Sequence, residues 1–397
     1  MNPAAHITKF SRSTPYQNGT YLYSIVMAEL LYLSFDSLQE GVGASQVLAY
    51  ARKVSVTHPI KIISFEKEMP DSIAFWDIQR DGITWMPLTF GRFGVIGGLS
   101  RVVRMWWNID RRKVIHARGN LSALAALLRF PKNWIWDSRS LHADQRRALS
   151  TEKSITVGFV VMRFLEIILA KQSSSIIVIT NAVVPIFVSR YRVSREKINV
   201  IPTCVDTHRF VEVPKPPTDT TKILLAGTFS PAYDVEIMNK IILRLKQEQK
   251  VFVTIATSKG ATNAWKAIDF DSLVSIPHLE MPILVAENDL GMSILKNDLG
   301  VCLSAVASTK AAEFLACGKP IFVNSLQGDL GDLVTKNRVG VATRGSTNIE
   351  IESYVEQMLI LLKDPDLSAR CRQVAEEVFN LNHAVGRLTK IYDSLTY

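Results

Sequence analysis

Residues 304–320 read Ser-Ala-Val-Ala-Ser-Thr-Lys-Ala-Ala-Glu-Phe-Leu-Ala-Cys-Gly-Lys-Pro and directly follow the apolar run Gly300–Leu303. The apolar run predicts a strand, and the small polar residues after it predict a turn. The helix-forming residues that follow end at Gly318 and Pro320, which are typical of a helix C-terminus. A strand, a turn and a helix in this order form the repeating unit of a parallel α/β sheet.

The first turn of the predicted helix is suited to binding phosphate. The amides of Thr309 and Lys310 would have no partner within the helix and would lie at the positive end of its dipole. Lys310 adds a full positive charge, and Glu313 lies about one turn further along the same face. Because donors and a cation suit a diphosphate and a carboxylate suits sugar hydroxyls, the segment predicts a nucleotide-sugar site.

The alternation of short apolar runs with amphipathic stretches continues on both sides of this segment. It predicts an α/β protein with two doubly wound parallel sheets, whose ligands bind at the carboxyl ends of the strands. The predicted strands are Leu30–Ser34, Ile60–Phe65, Val114–His116, Trp134–Trp136, Ile176–Thr180 and Ile198–Ile201 in the first half, and Lys222–Gly227, Val251–Ala256, Val274–Ile276, Gly300–Leu303, Pro320–Asn324 and Val339–Thr343 in the second.

A proline-rich segment divides the chain. Val213-Pro-Lys-Pro-Pro-Thr218 suits neither a helix nor an inner strand and is typical of a stiff linker. The 397 residues are enough for two domains, each with its own core. Met27 looks like a natural beginning just before the first strand, so we expect the polar stretch before it to be dispensable. The predicted division is an extension at 1–26, a first domain at 27–212, a linker at 213–219, a second domain at 220–380, and a helix at 381–397 that packs back on the first domain.

Positive charge is concentrated in the first half of the chain. The net charge is +9, but residues 1–200 hold 26 Lys and Arg against 14 Asp and Glu, whereas the remainder holds 20 against 23. This asymmetry predicts an anionic partner for the first domain, and no recognisable nucleic-acid motif accompanies the charge. The four cysteines are scattered without metal-ligand spacing, which is typical of reduced thiols in a cytosolic protein.

One basic segment suggests contact with a membrane surface, although no apolar run reaches the roughly 18–20 residues that cross a bilayer. Between positions 101 and 113, five basic residues are interleaved with two tryptophans, as in a cationic helix at a lipid interface. A solvated helix whose tryptophans face the core explains the same pattern, so both interpretations stay open. The expected contact residues are Arg101, Arg104, Trp106, Trp107, Arg111 and Arg112.

The 304–320 segment resembles the donor-site motif of GT-B glycosyltransferases of family four, in which a Ser-Pro-Thr-Lys-like turn precedes Glu-Tyr-Leu-Ala-x-Gly-x-Pro. A second segment, Val200-Ile-Pro-Thr-Cys-Val-Asp-Thr-His-Arg-Phe210, resembles the Val-Ile-Pro-Asn-Gly-Val-Asp-x-x-x-Phe strand of the same family. The resemblance covers nearly the whole chain from Met27 onward. It implies the GT-B fold, two Rossmann-like doubly wound domains with an interdomain cleft, in an enzyme of the bacterial surface-polysaccharide type.

On the donor side, the resemblance implies that Lys310 stabilises the leaving diphosphate and that Glu313 holds the ribose. Two departures from the family are visible. The loop Ala226–Ser230 lacks the Arg and Lys that many members place there, and Ala305 stands where a second glutamate often lies. The expected donor-binding residues are Gly227, Thr228, His278, Glu280, Ser308, Thr309, Gly328 and Asp329.

On the acceptor side, Val114-Ile-His-Ala-Arg-Gly119 resembles the family segment that ends the fourth strand. The resemblance implies that His116 faces the cleft at the strand end and contacts the reacting sugar. Two further segments carry expected site residues: Gly41, Gly43 and Ser45 in a loop near the phosphates and the acceptor, and Asp137 and Arg139 in an acceptor-side Asp-x-Arg segment.

We therefore expect a glycosyltransferase of the hexosyltransferase kind that moves a sugar from a nucleotide-diphosphate sugar, with a UDP-sugar as the expected donor, to a hydroxyl of a glycan or lipid-linked acceptor. The resemblance implies a retaining reaction with no metal and no cofactor. The expected location is cytoplasmic, with peripheral contact at the inner face of the cell membrane during polysaccharide biosynthesis. Two alternatives stay open: a catalytically weak nucleotide-sugar-binding scaffold protein, which the missing basic pair and Ala305 would suit, and a sugar-nucleotide epimerase.

Overall fold

Two parallel sheets organise the protein, one in each half of the chain. The computed structural model describes residues 30–150, 155–214, 218–257, 263–277 and 279–396. Seven strands form the first sheet and six form the second. The predicted α/β class with two doubly wound sheets is confirmed. The extension expected at 1–26 lies outside the described residues.

The first sheet is apolar on both faces because helices cover both. Side chains alternate along β1, so that Leu31 and Leu33 enter one core layer while Leu30 and Tyr32 enter the other. The strands run parallel in the order 3-2-1-4-5-6-7. Their bounds are β1 (Leu30–Leu33), β2 (Ile60–Glu66), β3 (Ile83–Thr89), β4 (Val114–Arg118), β5 (Trp134–Asp137), β6 (Ser175–Val178) and β7 (Ile198–Val200).

The helices of the first half are α1 (Gly41–Gly43), which continues through a π-helical turn (Ala44–Leu48) into α2 (Ala49–Val54), then α3 (Ser72–Arg80), α4 (Gly94–Trp107), α5 (Gly119–Leu127), α6 (His142–Ala148), α7 (Val157–Gln172) and α8 (Val184–Tyr191). A short 3-10 turn, Arg195–Lys197, precedes β7. Helices α4, α5, α7 and α8 pack on one face of the sheet, and α2 and α3 pack on the other.

The second sheet runs parallel in the order 10-9-8-11-12-13. Its strands are β8 (Thr220–Ala226), β9 (Lys250–Ala256), β10 (Ser272–Val274), β11 (Leu290–Ser293), β12 (Ile321–Asn324) and β13 (Gly340–Thr343). The helices of this half are α9 (Val235–Glu248), α10 (Met281–Ala286), α11 (Thr309–Ala316), α12 (Leu330–Lys336), α13 (Asn348–Leu362), α14 (Leu367–Val378) and α15 (Leu381–Thr396), with 3-10 segments at Asn263–Ala267 and Asn297–Ala305.

Each sheet has a switch point where the strand order reverses, between β1 and β4 in the first and between β8 and β11 in the second. Ligands of such sheets bind in the crevice that opens at the carboxyl ends of the strands there. The two carboxyl edges meet, because the hydroxyl of Thr180, just past β6, donates to the carbonyl oxygen of Ser304 at 2.5 Å. Both switch points therefore open toward the boundary between the domains.

The last helix, α15, packs on the first sheet. Leu388 and Tyr392 lie in the same core layer as Tyr32 of β1. The chain thus returns from the second domain to the first between α14 and α15. Arg372 of α14 stabilises this return, because its guanidinium donates to the backbone carbonyl oxygens of Thr207, Phe210 and Ala316.

One predicted strand is wrong. Gly300–Leu303 lies within the 3-10 segment Asn297–Ala305, which bends at Gly300 with a φ of 55°. Cys302 and Leu303 pack near Ala148 of the first domain, so this run is apolar because it contacts another domain. The strand that precedes α11 is β11, and both β11 and β3 are missing from the predicted strands.

Gly291 of β11 packs directly against Phe314 of α11, since a methyl group at Gly291 would lie 2.5 Å from the buried phenyl ring. We expect Gly291→Ala to lower the free energy of unfolding by about 1–3 kcal/mol because the ring must shift. Gly386→Ala is the matched control, since no atom lies within 4 Å of its added methyl. Urea unfolding measures both, and equal stability of the Gly291 variant and the wild type would contradict this packing.

Candidate functional site

The first turn of α11 lies beside the end of β11, at the carboxyl edge of the second sheet. The Ser308 hydroxyl accepts the N–H of Ala311 at 3.3 Å and lies 3.0 Å from the hydroxyl of Ser293. Ser308 is therefore the N-cap, and the predicted helix start is confirmed. The amides of Thr309 and Lys310 follow this cap in the first turn, where a helix offers no acceptor for them.

Lys310 and Glu313 form an ion pair on one face of α11. The Lys310 ammonium lies 2.8 Å from the carboxylate of Glu313, whose side chain is 1% exposed against 22% for the lysine. A buried carboxylate requires such a partner, because desolvation of an unpaired charge is costly. The structure thus brings these two predicted residues together, and a bound diphosphate would have to share the ammonium with Glu313.

The loop after β8 approaches the same pair through Tyr233. Gly227 has a φ of 149°, and a methyl group there would lie 3.0 Å from the Tyr233 hydroxyl. Phe229 has a left-handed φ of 46°, which is unusual for an aromatic residue, and its ring packs on Tyr233. Burial raises the pKa of Tyr233, while Lys310 lowers it and Glu313 raises it, so both charges act on this phenol.

Gly227 and Thr228 therefore lie on a shaped loop next to Lys310 and Glu313, and Thr228 is exposed there. Tyr233, which connects this loop to the ion pair, is a residue that the sequence analysis missed. Its position just before the helix N-cap Asp234 is the signal that could have found it.

Glu280, another expected donor-binding residue, lies toward the other end of α11. Glu280 is exposed at the start of α10, which approaches the far end of α11, where the thiol of Cys317 lies 4.0 Å from the carbonyl oxygen of Pro282. His278, which is also expected to bind the donor, lies outside the described residues.

Asp329 joins the two domains. Its carboxylate accepts the N–H of Asn181 at 2.6 Å, the N–H of Ala182 at 2.8 Å and the side-chain amide of Asn181 at 3.0 Å. Gly328 has a φ of 54°, and a methyl group there would lie 2.6 Å from the Thr180 side chain. The expected role of Gly328 and Asp329 in binding the donor stays a prediction; in this arrangement the carboxylate already accepts hydrogen bonds from the turn that begins α8.

The glycine turn after β1 lies at the switch point of the first sheet. Gly41 has a φ of 55°, and a methyl group at Gly43 would lie 1.8 Å from the carbonyl oxygen of Ser37, so this close approach requires glycine. The Ser45 hydroxyl donates to the carbonyl oxygen of Gly41 at 3.0 Å and is thus used within the helix. All three predicted residues lie on this loop.

A buried glutamate at the end of β2 stabilises this loop through hydrogen bonds. Glu66, at the end of β2, is fully buried and accepts the N–H of Leu38 at 3.0 Å and the hydroxyls of Ser37 and Ser64 at 2.5 and 2.6 Å. The sequence analysis missed Glu66, although an acidic residue at the end of an apolar strand is a signal for such a role.

His116 lies inside the first domain, and the prediction that it faces the cleft is wrong. Strand β4 continues two residues beyond it, and its side chain is only 2% exposed. Its Nδ1 lies 2.8 Å from the Tyr392 hydroxyl, its Nε2 lies 3.4 Å from the Asp137 carboxylate, and its ring stacks on Tyr32. The cavity beside it has a volume of about 20 Å³, enough for roughly one water and too small for a sugar.

Arg118, at the true end of β4, takes the position expected of His116. Its guanidinium lies 3.1 Å from Asp36, in the loop after β1, and 3.5 Å from Asp137, while Arg139 lies 3.3 Å from the other oxygen of Asp137. Burial raises the pKa of Asp137, but Arg139, His116 and Arg118 outweigh it, so the pKa falls below its usual range. Asp137 is thus the shared anion of a buried cluster, which includes the predicted Arg139.

Arg118 itself stays charged in this cluster. Burial lowers its pKa, but the Tyr32 oxygen and the carboxylates of Asp137 and Asp36 raise the pKa by a larger amount. The net pKa of Arg118 therefore lies above the ordinary value. The two-residue period of a strand is the signal for Arg118, because it shares the face of His116 one step nearer the carboxyl edge.

The arginines of the predicted membrane helix fold inward. Arg101 is buried, and its guanidinium donates to the carbonyl oxygens of Phe90 and Arg92 at 3.1 and 2.8 Å. Arg104 donates to the carbonyl oxygen of Thr89 at 2.7 Å. The prediction that these two arginines face a membrane is wrong, because they supply donors to the loop that precedes α4.

The other residues of that segment divide between core and surface. Helix α4 ends at Trp107, so Arg111 and Arg112 lie in the turn after it, where Arg112 pairs with Asp110. Trp106 is half-buried and donates to the carbonyl oxygen of Leu128, whereas Trp107 is exposed. Trp107, Arg111 and Arg112 therefore remain accessible to a partner.

The described residues contain no group of three or more His, Cys, Asp or Glu side chains arranged to hold a metal ion. Within the same part of the chain, no single helix is long and apolar enough to cross a bilayer. Asn297–Ala305 and Thr309–Ala316 meet that test only as a pair bent by 71°, and Ala311–Ala316 is buried throughout.

The Asp329 contact predicts a measurable change in domain closure. We expect Asp329→Ala to weaken the contact by about 1–3 kcal/mol, because two backbone amides lose a charged acceptor at the boundary between the domains. Small-angle X-ray scattering should then show a larger radius of gyration. Asp332→Ala, an exposed aspartate one turn along the same helix, should leave the radius unchanged, and an unchanged radius in both variants would contradict the role of Asp329.

The buried His116 predicts a pH dependence of stability. Burial lowers its pKa below the ordinary 6.5, so the unfolded chain takes up the proton first as the pH falls. Its contribution to the free energy of unfolding is full above about pH 6.5 and is lost progressively in the acidic window below that value. We expect the melting temperature to fall in this window and to fall less steeply in His116→Gln.

His142 is the comparison for this measurement, because burial and Arg146 also lower its pKa. His142→Gln should flatten the same window by its own share, and the double variant should flatten it most. Identical slopes for the wild type and the His116 variant would show that folding does not lower the pKa of His116.

Comparisons with known proteins bear on the fold. No protein-family profile and no curated protein sequence matches the chain. Three solved structures illustrate its structural likeness. Sucrose-phosphate synthase from Thermosynechococcus elongatus superimposes with a TM-score of 0.68 at 13% identity, over 93% of this chain and 99% of that one.

HepE of Anabaena, solved in complex with UDP, gives a TM-score of 0.64 at 12% identity, over 92% of this chain and 100% of that one. WaaG, a glycosyltransferase involved in lipopolysaccharide biosynthesis, gives 0.63 at 12% identity, over 92% and 99% of the two chains. At these identities the likeness concerns the fold. Two parallel sheets that match these enzymes over nearly their whole length confirm the GT-B fold, with two Rossmann-like domains.

Proposed function

We propose that this protein is a glycosyltransferase that moves a sugar from a nucleotide-diphosphate sugar to a hydroxyl acceptor. The observation that carries the proposal is the first turn of α11, where Lys310 and two helix-start amides lie beside the segment that contacts the first domain. Such a turn sets a fixed cation and backbone donors where negative charge develops on a leaving diphosphate.

On the donor side, Lys310 and the amides would hold the diphosphate, and Glu313 would hold hydroxyls of the ribose. The shaped loop with Gly227 and Thr228 would close over the phosphates. UDP is the proposed nucleotide, because neighbouring structures were solved with UDP and with UDP-glucose. Lys310 supplies charge that a divalent cation provides in other enzymes, which supports a reaction without metal or cofactor.

On the acceptor side, we assign to Arg118 the sugar contact expected of His116. Its guanidinium lies at the carboxyl end of β4 and bonds to Asp36, whose side chain is half-exposed. A charged donor there can hold a sugar or acceptor hydroxyl near the reacting carbon. Retention of the anomeric configuration belongs to the same proposal and is supported by the motif resemblance.

The proposed acceptor is a glycan or lipid-linked glycan in cytoplasmic assembly of surface polysaccharide, with the enzyme peripheral at the inner face of the membrane. The involvement of the neighbour WaaG in lipopolysaccharide biosynthesis supports this class. The positive balance of the first half of the chain supports an anionic surface as partner.

A nucleotide-sugar-binding scaffold protein is the second candidate. One observation favours it: the Lys310 charge is already compensated by Glu313, and Ala305 leaves the pocket without a second carboxylate. On this alternative the wild-type protein binds UDP but neither hydrolyses nor transfers any donor, which a thermal-shift screen with UDP-glucose, UDP-N-acetylglucosamine and GDP-mannose followed by transfer assays would reveal.

The Lys310 charge provides the test of the transferase proposal. We expect Lys310→Ala to lower kcat by about 100-fold or more, because a preorganised charge on the leaving group is lost. Release of UDP from the donor that the screen identifies measures turnover. Lys319→Ala, just past the other end of the same helix, is the matched control and should keep wild-type turnover.

The buried carboxylate of Glu313 requires a second variant. Lys310→Ala leaves this carboxylate without its cation and can destabilise the protein, whereas Lys310→Ala with Glu313→Gln removes both charges. The double variant should melt near the wild-type temperature and still lose turnover. Near-normal turnover in either variant would exclude Lys310 from the phosphate role.

A further inference from the structure

The outer side of α4 carries a row of exposed apolar side chains. Ile96, Leu99, Val103 and Trp107 follow one another at intervals of three or four residues and therefore lie on one side of the helix. Their exposed fractions range from 52% to 82%. The opposite side of α4 is packed in the core through Val102 and Met105, so this row is not needed for the fold.

A second row of exposed apolar side chains lies on the first two turns of α7. Its members are Val157, Val160, Val161 and Phe164, which are 54% to 81% exposed. Helix α5 lies between α4 and α7, contacts both, and carries no charged residue. The three helices thus present one apolar surface, which we call the α4–α7 face. Apolar surface of this extent on a monomer marks an interaction site.

Positive charge predominates along the part of the α4–α7 face that α4 and α5 form. Residues 91–136 contain nine Lys and Arg and one acidic residue, Asp110. Arg92, Arg111 and Lys132 are exposed along this stretch. Apolar side chains surrounded by cations suit an anionic bilayer, where the apolar groups enter the interface and each cation meets lipid phosphate.

A second copy of the chain fits this face less well. A two-fold dimer sets the same surface of both partners together, so the cations around one face would oppose the cations around the other. Like charges across an interface cost affinity. The charge pattern therefore favours an anionic lipid surface over self-association.

We propose that the α4–α7 face docks on an anionic lipid bilayer. Because α4 and α7 both begin at the carboxyl edge of the first sheet, docking sets the mouth of the interdomain cleft beside the lipid headgroups. The proposed membrane contact is supported by the α4–α7 face alone. Its consequence, that a lipid-linked acceptor reaches the cleft, rests on the proposed function. The contact residues differ from the inward-facing arginines expected from the sequence.

Vesicle flotation of the full chain tests the docking. The wild type should float with phosphatidylcholine vesicles that contain phosphatidylglycerol and much less with phosphatidylcholine alone. Ile96→Ser with Val103→Ser should lower the partition coefficient about tenfold or more, because two exposed apolar side chains no longer enter the interface. Val56→Ser with Ile73→Ser is the matched control, since these residues are 82% and 80% exposed on the other side of the sheet.

The cations are tested separately. Arg92→Gln with Arg111→Gln should weaken binding to the anionic vesicles about fivefold per charge and leave the weak binding to neutral vesicles unchanged. Arg80→Gln, an exposed arginine of α3 on the other side of the sheet, should have no effect. Melting temperatures of all variants show that they remain folded.

Tryptophan fluorescence identifies the surface that touches lipid. Trp107 and Trp76 are 69% and 68% exposed, on opposite sides of the first sheet. Brominated lipid should quench the wild type and the Trp76→Phe variant to the same extent, and Trp107→Phe should lose most of the quenching. Quenching lost only in Trp76→Phe would overturn the proposal.

Three further outcomes overturn the proposal: a wild type that does not float with anionic vesicles, an Ile96 and Val103 variant that floats like the wild type, and a wild-type dimer that this variant converts to monomer without a change in flotation. Failure of the proposed function is distinguishable. A wild type that floats but turns over no nucleotide sugar keeps the docking and loses the transferase, and turnover on a soluble acceptor without flotation does the reverse.

Discussion

The carboxylate of Asp329 accepts hydrogen bonds from two successive amides at the turn that begins α8, and this contact joins the two domains. It depends on Gly328, because any side chain there would collide with Thr180. The first turn of α11 reaches the same boundary through Ser304. The two domains are therefore in direct contact beside the carboxyl end of β6.

A single buried anion, the carboxylate of Asp137, holds together the ends of β4 and β5. Asp137 lies within 3.5 Å of Arg118, Arg139 and His116, and the low polarity around it strengthens each of these attractions. Removal of any one partner would leave charge uncompensated in the interior. The ends of β4 and β5 are thus held rigidly, which suits a site where a hydroxyl must be positioned closely.

The sequence predicted those features that depend on local pattern. The sheets follow from apolar runs, and the start of α11 follows from Ser308, whose capping role is local. Sequence patterns did not predict the features that depend on a contact between residues distant in the chain. Gly300–Leu303 is apolar because it touches Ala148, which a single sequence cannot distinguish from a strand. Asp329 meets a partner 148 residues away, and no motif reveals such a pairing.

Two other failures have simpler physical origins. Strand length is poorly specified by sequence, and two extra residues in β4 moved the cleft position from His116 to Arg118. Helical periodicity describes where a side chain leaves the backbone, whereas a long arginine can fold back to satisfy carbonyl groups of a neighbouring loop, as Arg101 does.

The position of α15 near the end of the chain determines when the core of the first domain can be completed. It completes the core layer that contains Tyr32, and its Tyr392 bonds to His116, yet the ribosome makes it after every other described element. The first domain therefore emerges with one wall of its core open and waits for the whole second domain to be translated. During that interval its apolar strands are exposed to chaperones and to misassembly. The domain that is translated first is therefore the last to complete its hydrophobic core.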